Sequence, residues 1–398
     1  MRSVIYSTRV FSLIALGLLA PAAAASAANP VDCSKESLAA AVASVKEKDP
    51  VITFTGVCLG PIVITADGVT LQGLNTAVID GGGQDAIVVA GASRVSIAGV
   101  EVRGGRNGIV VLNGAHVSLT GITAHDNAAT GISVQTGSSG VFVDVAAANN
   151  GFHGIDVHSG SAATITGAFT STANRVFGVN VNGSAVTFTA ATVTSAQNAV
   201  GIQIATNANA FIGDSATVIN ATNNLATGLT IVSGAQMVSF GGTINASGNG
   251  GIGVSVNSKA GLDLDAASQL NSFNNADGLL VQQDAVMTVF NNPQFSGAPG
   301  FSTINAHHNT GSGVRVLTGS TLTLVNQARV IAMLNGAFGL VADNGAGVRL
   351  VNSTLTANTA KDLQLTFGSR ADLQAVTIGT VTCDSTVLIR GASFSCPQ

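Results

Sequence analysis

Apolar residues recur along this chain as pairs that straddle one free position and follow a glycine. The pattern reads Gly108-Ile109-Val110-Val111, Gly131-Ile132-Ser133-Val134, Gly154-Ile155-Asp156-Val157, Gly178-Val179-Asn180-Val181 and Gly201-Ile202-Gln203-Ile204. These glycines stand 23, 23, 24 and 23 residues apart. The series continues at Gly228, Gly251, Gly278, Gly313 and Gly339 and ends at Asp362-Leu363-Gln364-Leu365. A short, sustained period of this kind predicts a solenoid, in which each repeat buries its apolar side against its neighbours.

Each repeat holds two further alternating runs. One is Ala115-His116-Val117-Ser118-Leu119 or Ala285-Val286-Met287-Thr288-Val289; the next is Thr192-Val193-Thr194 or Thr303-Ile304-Asn305. Period two is the mark of a strand with one side in the core. Three short strands and three corners fit about 23 residues, which predicts an all-β, triangular parallel β-helix. A leucine-rich repeat has a similar period, but its Leu-x-x-Leu-x-Leu framework is absent. Some thirteen coils from Val51 to Leu388, each rising about 4.8 Å, give a rod of roughly 60 Å. An asparagine precedes most tetrapeptides, at 127, 150, 174, 198, 224, 249, 275, 309, 335 and 358. Asn suits tight corners, and stacked amides can hydrogen-bond as a ladder.

Both ends of such a rod need caps. Leu38, Ala41, Val42 and Val45 have helical spacing between Ser34, the expected N-cap, and Pro50. Cys33 and Cys58 flank this helix, and Cys383 and Cys396 close the far end; two local disulfides are the economical reading, with zinc as the rival. The expected division is therefore a signal peptide at 1–28, an N-terminal cap at 29–60, the β-helix at 61–380 and a C-terminal cap at 381–398. The signal peptide is read from Arg2 and Arg9, an apolar run from Val10 to Ala20, and the small residues Ala22 to Ala28. Secretion or residence in a periplasm follows, and no later run is long enough to predict an integral membrane protein.

Only 9% of residues are charged and the net charge is -4, which offers no footprint for nucleic acid. Tyr6, within the signal segment, is the one Tyr, and there is no Trp. These are the usual rigid anchors of tight glycan grooves and interface hot spots.

Asp67-Gly68-Val69-Thr70-Leu71-Gln72-Gly73 and Ala77-Val78-Ile79-Asp80-Gly81 resemble the opening coils of the pectin-lyase-like superfamily of right-handed parallel β-helices. The later Asn-x-x-x-Gly-Ile coils resemble the repeats of its exported bacterial members. This resemblance implies the right-handed fold, and a superfamily that includes pectate lyases, polygalacturonases and alginate epimerases. It does not carry their catalytic motifs across. His153-Gly154 resembles the polygalacturonase His-Gly pair, but the Asn-Thr-Asp and Asp-Asp elements are missing, and His125-Asp126 is only a fragment of the epimerase Asp-Pro-His-Asp motif.

The most polar outward patch surrounds Asp156 and His158, two apart on one strand and so on one face. Ser133 and Gln135 flank it on one side, Asn180 and Asn182 on the other, with His153 and Arg175 in nearby turns. The patch suits an acid/base site, a metal site built from His153, Asp156 and His158, or a plain solvated face. Asp263 and Asp265 form a second acidic pair, expected to be solvated; pectate-lyase chemistry would imply calcium there, and no other cofactor is expected. His307 and His308 are expected on opposite faces of a strand. Extra residues collect between the second and third strands, and the longest insertion, Asn291 to Phe301, offers Phe295 and Phe301 as contact residues. The sequence favours an exported, non-catalytic binding or scaffold protein of the cell envelope, contacting polysaccharide or other envelope components. A polysaccharide-modifying enzyme, a lyase before a hydrolase or epimerase, is the alternative.

Overall fold

The structure, a computed structural model, describes residues 29–45, 48–293, 299–391, 394 and 396. The expected signal segment lies outside the described residues. Every strand pairing in the repeats is parallel, and one face is a stack of fourteen strands running from Ile62–Ile64 to Val381–Cys383, one per coil. That is one coil more than the period alone suggests. The other two faces join into a single 27-stranded sheet, because Ser139–Ala148, Ala162–Thr172 and Ala185–Ala196 run unbroken around the corner between them. At that corner Asp144, Gly167 and Ala190 take φ of 54°, 68° and 46°, the left-handed region that lets a strand bend without ending. Aspartates hold the bend: the Ala168 N–H donates to Asp144 Oδ1 at 2.8 Å and the Ala190 N–H to Asp214 Oδ2 at 2.7 Å.

Alternation places one apolar file from each strand inside, and these files fuse into one continuous core from Leu38 to Leu373. Phe54, Phe142, Phe169 and Phe188 are its largest enclosed side chains. The corner asparagines lie against this core as a buried ladder. Asn150 Nδ2 donates to Asn174 Oδ1 at 2.9 Å and to the Ala124 carbonyl at 3.2 Å, and the Asn150 N–H reaches the same Oδ1 at 3.0 Å. The arrangement repeats from Asn127 to Asn358, so each amide is satisfied by the coil above and the backbone below. At the last rung Asn358 donates to Asp362 Oδ1. Burial works against the Asp362 carboxylate, but donors from Asn358 and Thr380 outweigh it and hold its pKa below the ordinary value.

The ladder explains the glycines of the repeat. A Cβ at Gly131 would lie 2.7 Å from both Asn150 Nδ2 and the Gly154 carbonyl oxygen. Register corrects one coil of the sequence reading: Leu229 pairs with Val254 and Val254 with Leu279, so the tetrapeptide there is Gly253-Val254-Ser255-Val256, not the one starting at Gly251. Ile252 and Val254 both follow a glycine, and only the contact of Gly253 with Asn275 distinguishes them.

The N-terminal helix is shorter than its spacing suggests, Leu38–Ala43, with Leu38 and Val42 buried. Its N-cap is Ser37, whose hydroxyl accepts the Ala40 N–H at 3.2 Å. Ser34 is instead drawn to Asp32, donating to it through N–H and hydroxyl. Both expected disulfides, Cys33–Cys58 and Cys383–Cys396, are formed, which suits an oxidising compartment. Among the described residues no helix is long and apolar enough to cross a membrane.

Replacing Gly131 by Ala should destabilise the protein by about 1–3 kcal/mol through overpacking, and Ile155→Ala by about 2–5 kcal/mol through the cavity it leaves. Unfolding followed by circular dichroism should show both shifts; a curve for Ile155→Ala that superimposes on the parent's would contradict its inward placement.

Candidate functional site

The free position of the tetrapeptide becomes a straight outward file on the fourteen-stranded face. Strand pairing aligns Val110, Ser133, Asp156, Asn180, Gln203, Thr230, Ser255 and Leu280, one per coil. Apolar Val110 and Leu280 close the two ends. Between them lie six consecutive polar side chains, a stripe of roughly 25 Å at the strand spacing. Gln203, Thr230 and Ser255 were not singled out from sequence, although the free position of the tetrapeptide marks the first two; Ser255 emerges only with the corrected register of its coil.

Asp156 is the only charged member of the stripe. The Asn180 Nδ2 donates to its Oδ1 at 2.8 Å, and His158 Nε2 lies 3.7 Å from its Oδ2. Burial raises the Asp156 carboxyl above the ordinary range, against the opposing pull of His158 and of the Asn180 hydrogen bond. Asn180 Oδ1 is itself buried and has no hydrogen-bond partner among the described residues. An open cavity of about 440 Å³ spreads over this point, lined by Asp156, His158, Ser159, Asn180, Asn182 and Gly183. The ring Nδ1 of His158 pairs with the Ser159 hydroxyl at 2.9 Å, which fixes the imidazole beside the carboxylate.

The other predicted residues divide around this centre. Asn182 is exposed, in register with His158. Ser133 is buried in register with Asp156, and Gln135 is half-buried beyond it. His153 turns away into an aromatic stack, its ring 5.0 Å from Phe177 and 3.9 Å from Phe152. Phe177 N–H lies 3.4 Å from His153 Nδ1, an arrangement that requires a lone pair on that nitrogen. Burial, with the nearby His158 charge, lowers the His153 pKa from 6.5 to about 4. Sequence reasoning missed Phe177, although one repeat step from His153 leads to it. Arg175 is exposed, has no ion pair among the described residues and does not line the cavity. Phe295 lies outside the described residues, and Phe301 is half-buried beneath the Arg329 guanidinium, 5.0 Å from its ring centre.

Among the described residues no group of three or more His, Cys, Asp or Glu side chains is placed to hold a metal ion. Asp263 and Asp265 are half-buried, so the expected solvation is partial. Burial raises both carboxyls, against hydrogen bonds that Asp263 takes from Thr288 and Asp265 from Ala266 and Asn292. Calcium takes six to eight oxygens, and two such carboxyls do not fit it. His307 and His308 do not oppose one another across a strand: the strand ends at His307, His308 has φ 54°, and their Nδ1 atoms meet at 2.8 Å. On the third face, His125 Nε2 and Nδ1 lie 3.2 and 2.7 Å from Glu101 and Asp126, a set of polar contacts away from the stripe.

Residues 62–222 match the family model of a right handed beta helix region. These coils are similar to such a region. That is the class which the opening-coil motifs resemble, and the match spans the first four of the six polar stripe positions. No curated protein matches the chain. Among solved structures, the β-helix is similar to the A-module of mannuronan C-5 epimerase AlgE6 from Azotobacter vinelandii, with 13% identity, 92% of this chain and 100% of that one covered, and a TM-score of 0.44. It is also similar to a double mutant of the periplasmic alginate epimerase AlgG, with 12% identity, 87% and 83% covered, and a TM-score of 0.46. Pectate lyase Pel9A follows at 14% identity, 87% and 73% covered, with a TM-score of 0.29. Likeness at this level carries no substrate or activity from those enzymes to this β-helix.

The sealed imidazole makes stability depend on pH. Because the His153 pKa is lower in the folded than in the unfolded chain, the unfolded chain takes the proton first. Stability is full above about pH 6.5 and falls as the pH drops toward 4, by up to about 3 kcal/mol. Ring-proton NMR should place the His153 midpoint near 4, and His153→Gln should flatten the acid limb of the stability profile.

Proposed function

We propose that this chain binds a polysaccharide strand along the polar stripe of its fourteen-stranded face, as an exported protein of an oxidising compartment. The orphaned Asn180 Oδ1 carries this reading. A buried acceptor without a donor is costly to keep, and a turn of the Asn180 amide toward the cavity it lines would present that oxygen to a sugar hydroxyl. Gln203, Thr230 and Ser255 continue the row of neutral hydrogen-bonding groups, one per coil, matching a polymer that presents hydroxyls at regular intervals. The Phe152 and Phe177 rings, which enclose His153, offer apolar faces to sugar C–H groups. The two disulfides and the N-terminal segment read as a signal peptide support the exported setting.

A second reading rests on Asp156. A carboxyl with a raised pKa, 3.7 Å from an imidazole, is suited to moving protons at a bound sugar, and this favours a lyase-like enzyme over a hydrolase. The usual hydrolase needs two carboxyl groups about the scissile bond, whereas Asp156 is the only carboxylate lining the cavity.

Calorimetric titration with soluble neutral and acidic polysaccharides should detect binding, and Asn180→Ala should weaken it about three- to tenfold, the weight of one hydrogen bond. Unchanged affinity in the folded variant would sink the binding reading. If bound polymer is also shortened, with unsaturated ends absorbing in the ultraviolet, and Asp156→Asn binds without shortening it, the lyase reading holds instead.

A further inference from the structure

Charge is scarce in this chain, 9% of residues, yet three arginines meet at one place far from the stripe. On the second face, near the C-terminal end, strand pairing sets Arg349 beside Asp372 and Asp372 beside Arg390 in consecutive coils. Arg370 lies two residues from Asp372 on the same strand and the same side. All four line one cavity of about 320 Å³, with Thr321 and Thr323 of the preceding coil also in its lining. Asp372 is the sole carboxylate in the lining. It lies 3.7 Å from Arg349 Nε, too far for a hydrogen bond, and that buried Nε has no acceptor among the described residues. Arg370 and Arg390 are exposed and have no ion pair among the described residues.

We propose that this cavity is a binding site for a phosphate monoester. With Asp372 counted against one guanidinium, the lining carries two uncompensated positive charges. A phosphate monoester carries about -1.5 to -2 at neutral pH and three acceptor oxygens, whereas a single carboxylate would leave one arginine unmatched. Guanidinium forks are suited to bidentate contact with phosphate oxygens and are only weakly hydrated, so their heads reach the anion at low desolvation cost. Arg349 and Arg390, two coils apart, approach from opposite sides of Asp372, and Arg370 closes the third side. The phosphate can belong to a dissolved sugar phosphate or to a lipid headgroup at an envelope surface; the chemistry at the cavity is the same.

Calorimetric titration of the full chain at low ionic strength and pH 8 tests this with inorganic phosphate, acetate and glucose 6-phosphate. Sedimentation with phosphatidylcholine vesicles, with or without phosphatidic acid, tests the lipid source. Phosphate should bind at least ~10-fold more tightly than acetate, and the affinity for glucose 6-phosphate should decline as the pH passes below about 6, where the monoester dianion takes a proton. Arg370→Gln and Arg390→Gln should each weaken phosphate at least ~10-fold, and Arg315→Gln, on the fourteen-stranded face, should not. Circular dichroism of these exposed-site variants should match the parent. Binding of glucose 6-phosphate assigns a dissolved ligand, and binding confined to phosphatidic acid vesicles assigns a headgroup. Equal affinity for acetate, unchanged affinity in the doubly substituted Arg370→Gln, Arg390→Gln protein, or no binding of any probe would overturn the proposal.

Discussion

A column of buried asparagine amides sets the dimensions of everything outside it. Each amide must find both its acceptor and its donors in neighbouring coils, or leave polar groups unpaired against an apolar core, where the penalty is steep. The coils are therefore locked in register. Because side chains alternate faces every residue, a slip of one position would turn Asp156 inward and Ile155 out. The same amides occupy the space a side chain would need at Gly131, Gly178 and Gly253, which explains why the repeat keeps glycine where its backbone φ does not ask for it. Regular presentation of the polar stripe is thus a consequence of packing at a corner the stripe never touches.

On that frame, environment separates residues of similar chemistry. His153 and His158 stand five residues apart in one coil. The first is sealed between phenyl rings and held neutral by burial, so it contributes shape. The second faces the cavity beside a carboxylate, so it contributes a titratable group. Two surfaces result with different characters. The stripe is built mainly from uncharged donors and acceptors around one aspartate, and the arginine cavity from charge with little internal compensation.

Much of this was legible in the residues themselves. The glycine tetrapeptide, the asparagine column and the two cysteine pairs each report a local requirement that repeats in sequence and survives folding. What escaped did so for physical reasons. Glycines at 248, 250, 251 and 253 allow two apolar alternations, and only contact with the next coil's amide decides between them. Ser34 and Ser37 are both good caps, but Asp32 captures the first. Arg349, Arg370 and Arg390 lie 21 and 20 residues apart, out of step with the period, so no reading by repeat brings them together. The exposure of Arg175 and the enclosure of His153 depend on which way a corner side chain turns, and sequence spacing does not specify that.

The asparagine column also has a direction. Within the column every amide donates to the amide of the next coil toward the C-terminal end, so the aligned dipoles add up to a partial positive pole at the last rung, and a carboxylate receives it at Asp362. That residue stands at the position held by Gly339 one coil earlier. Glycine is required there while another amide follows; once none does, the vacated volume accommodates a side chain, and an anion is the one that suits the pole. Asp362 therefore acts as a terminator, telling the stack where to stop. A coil inserted before it would inherit glycine and asparagine and simply lengthen the rod. One added after it would meet a carboxylate already saturated by Asn358 and Thr380, with nothing left to pass on.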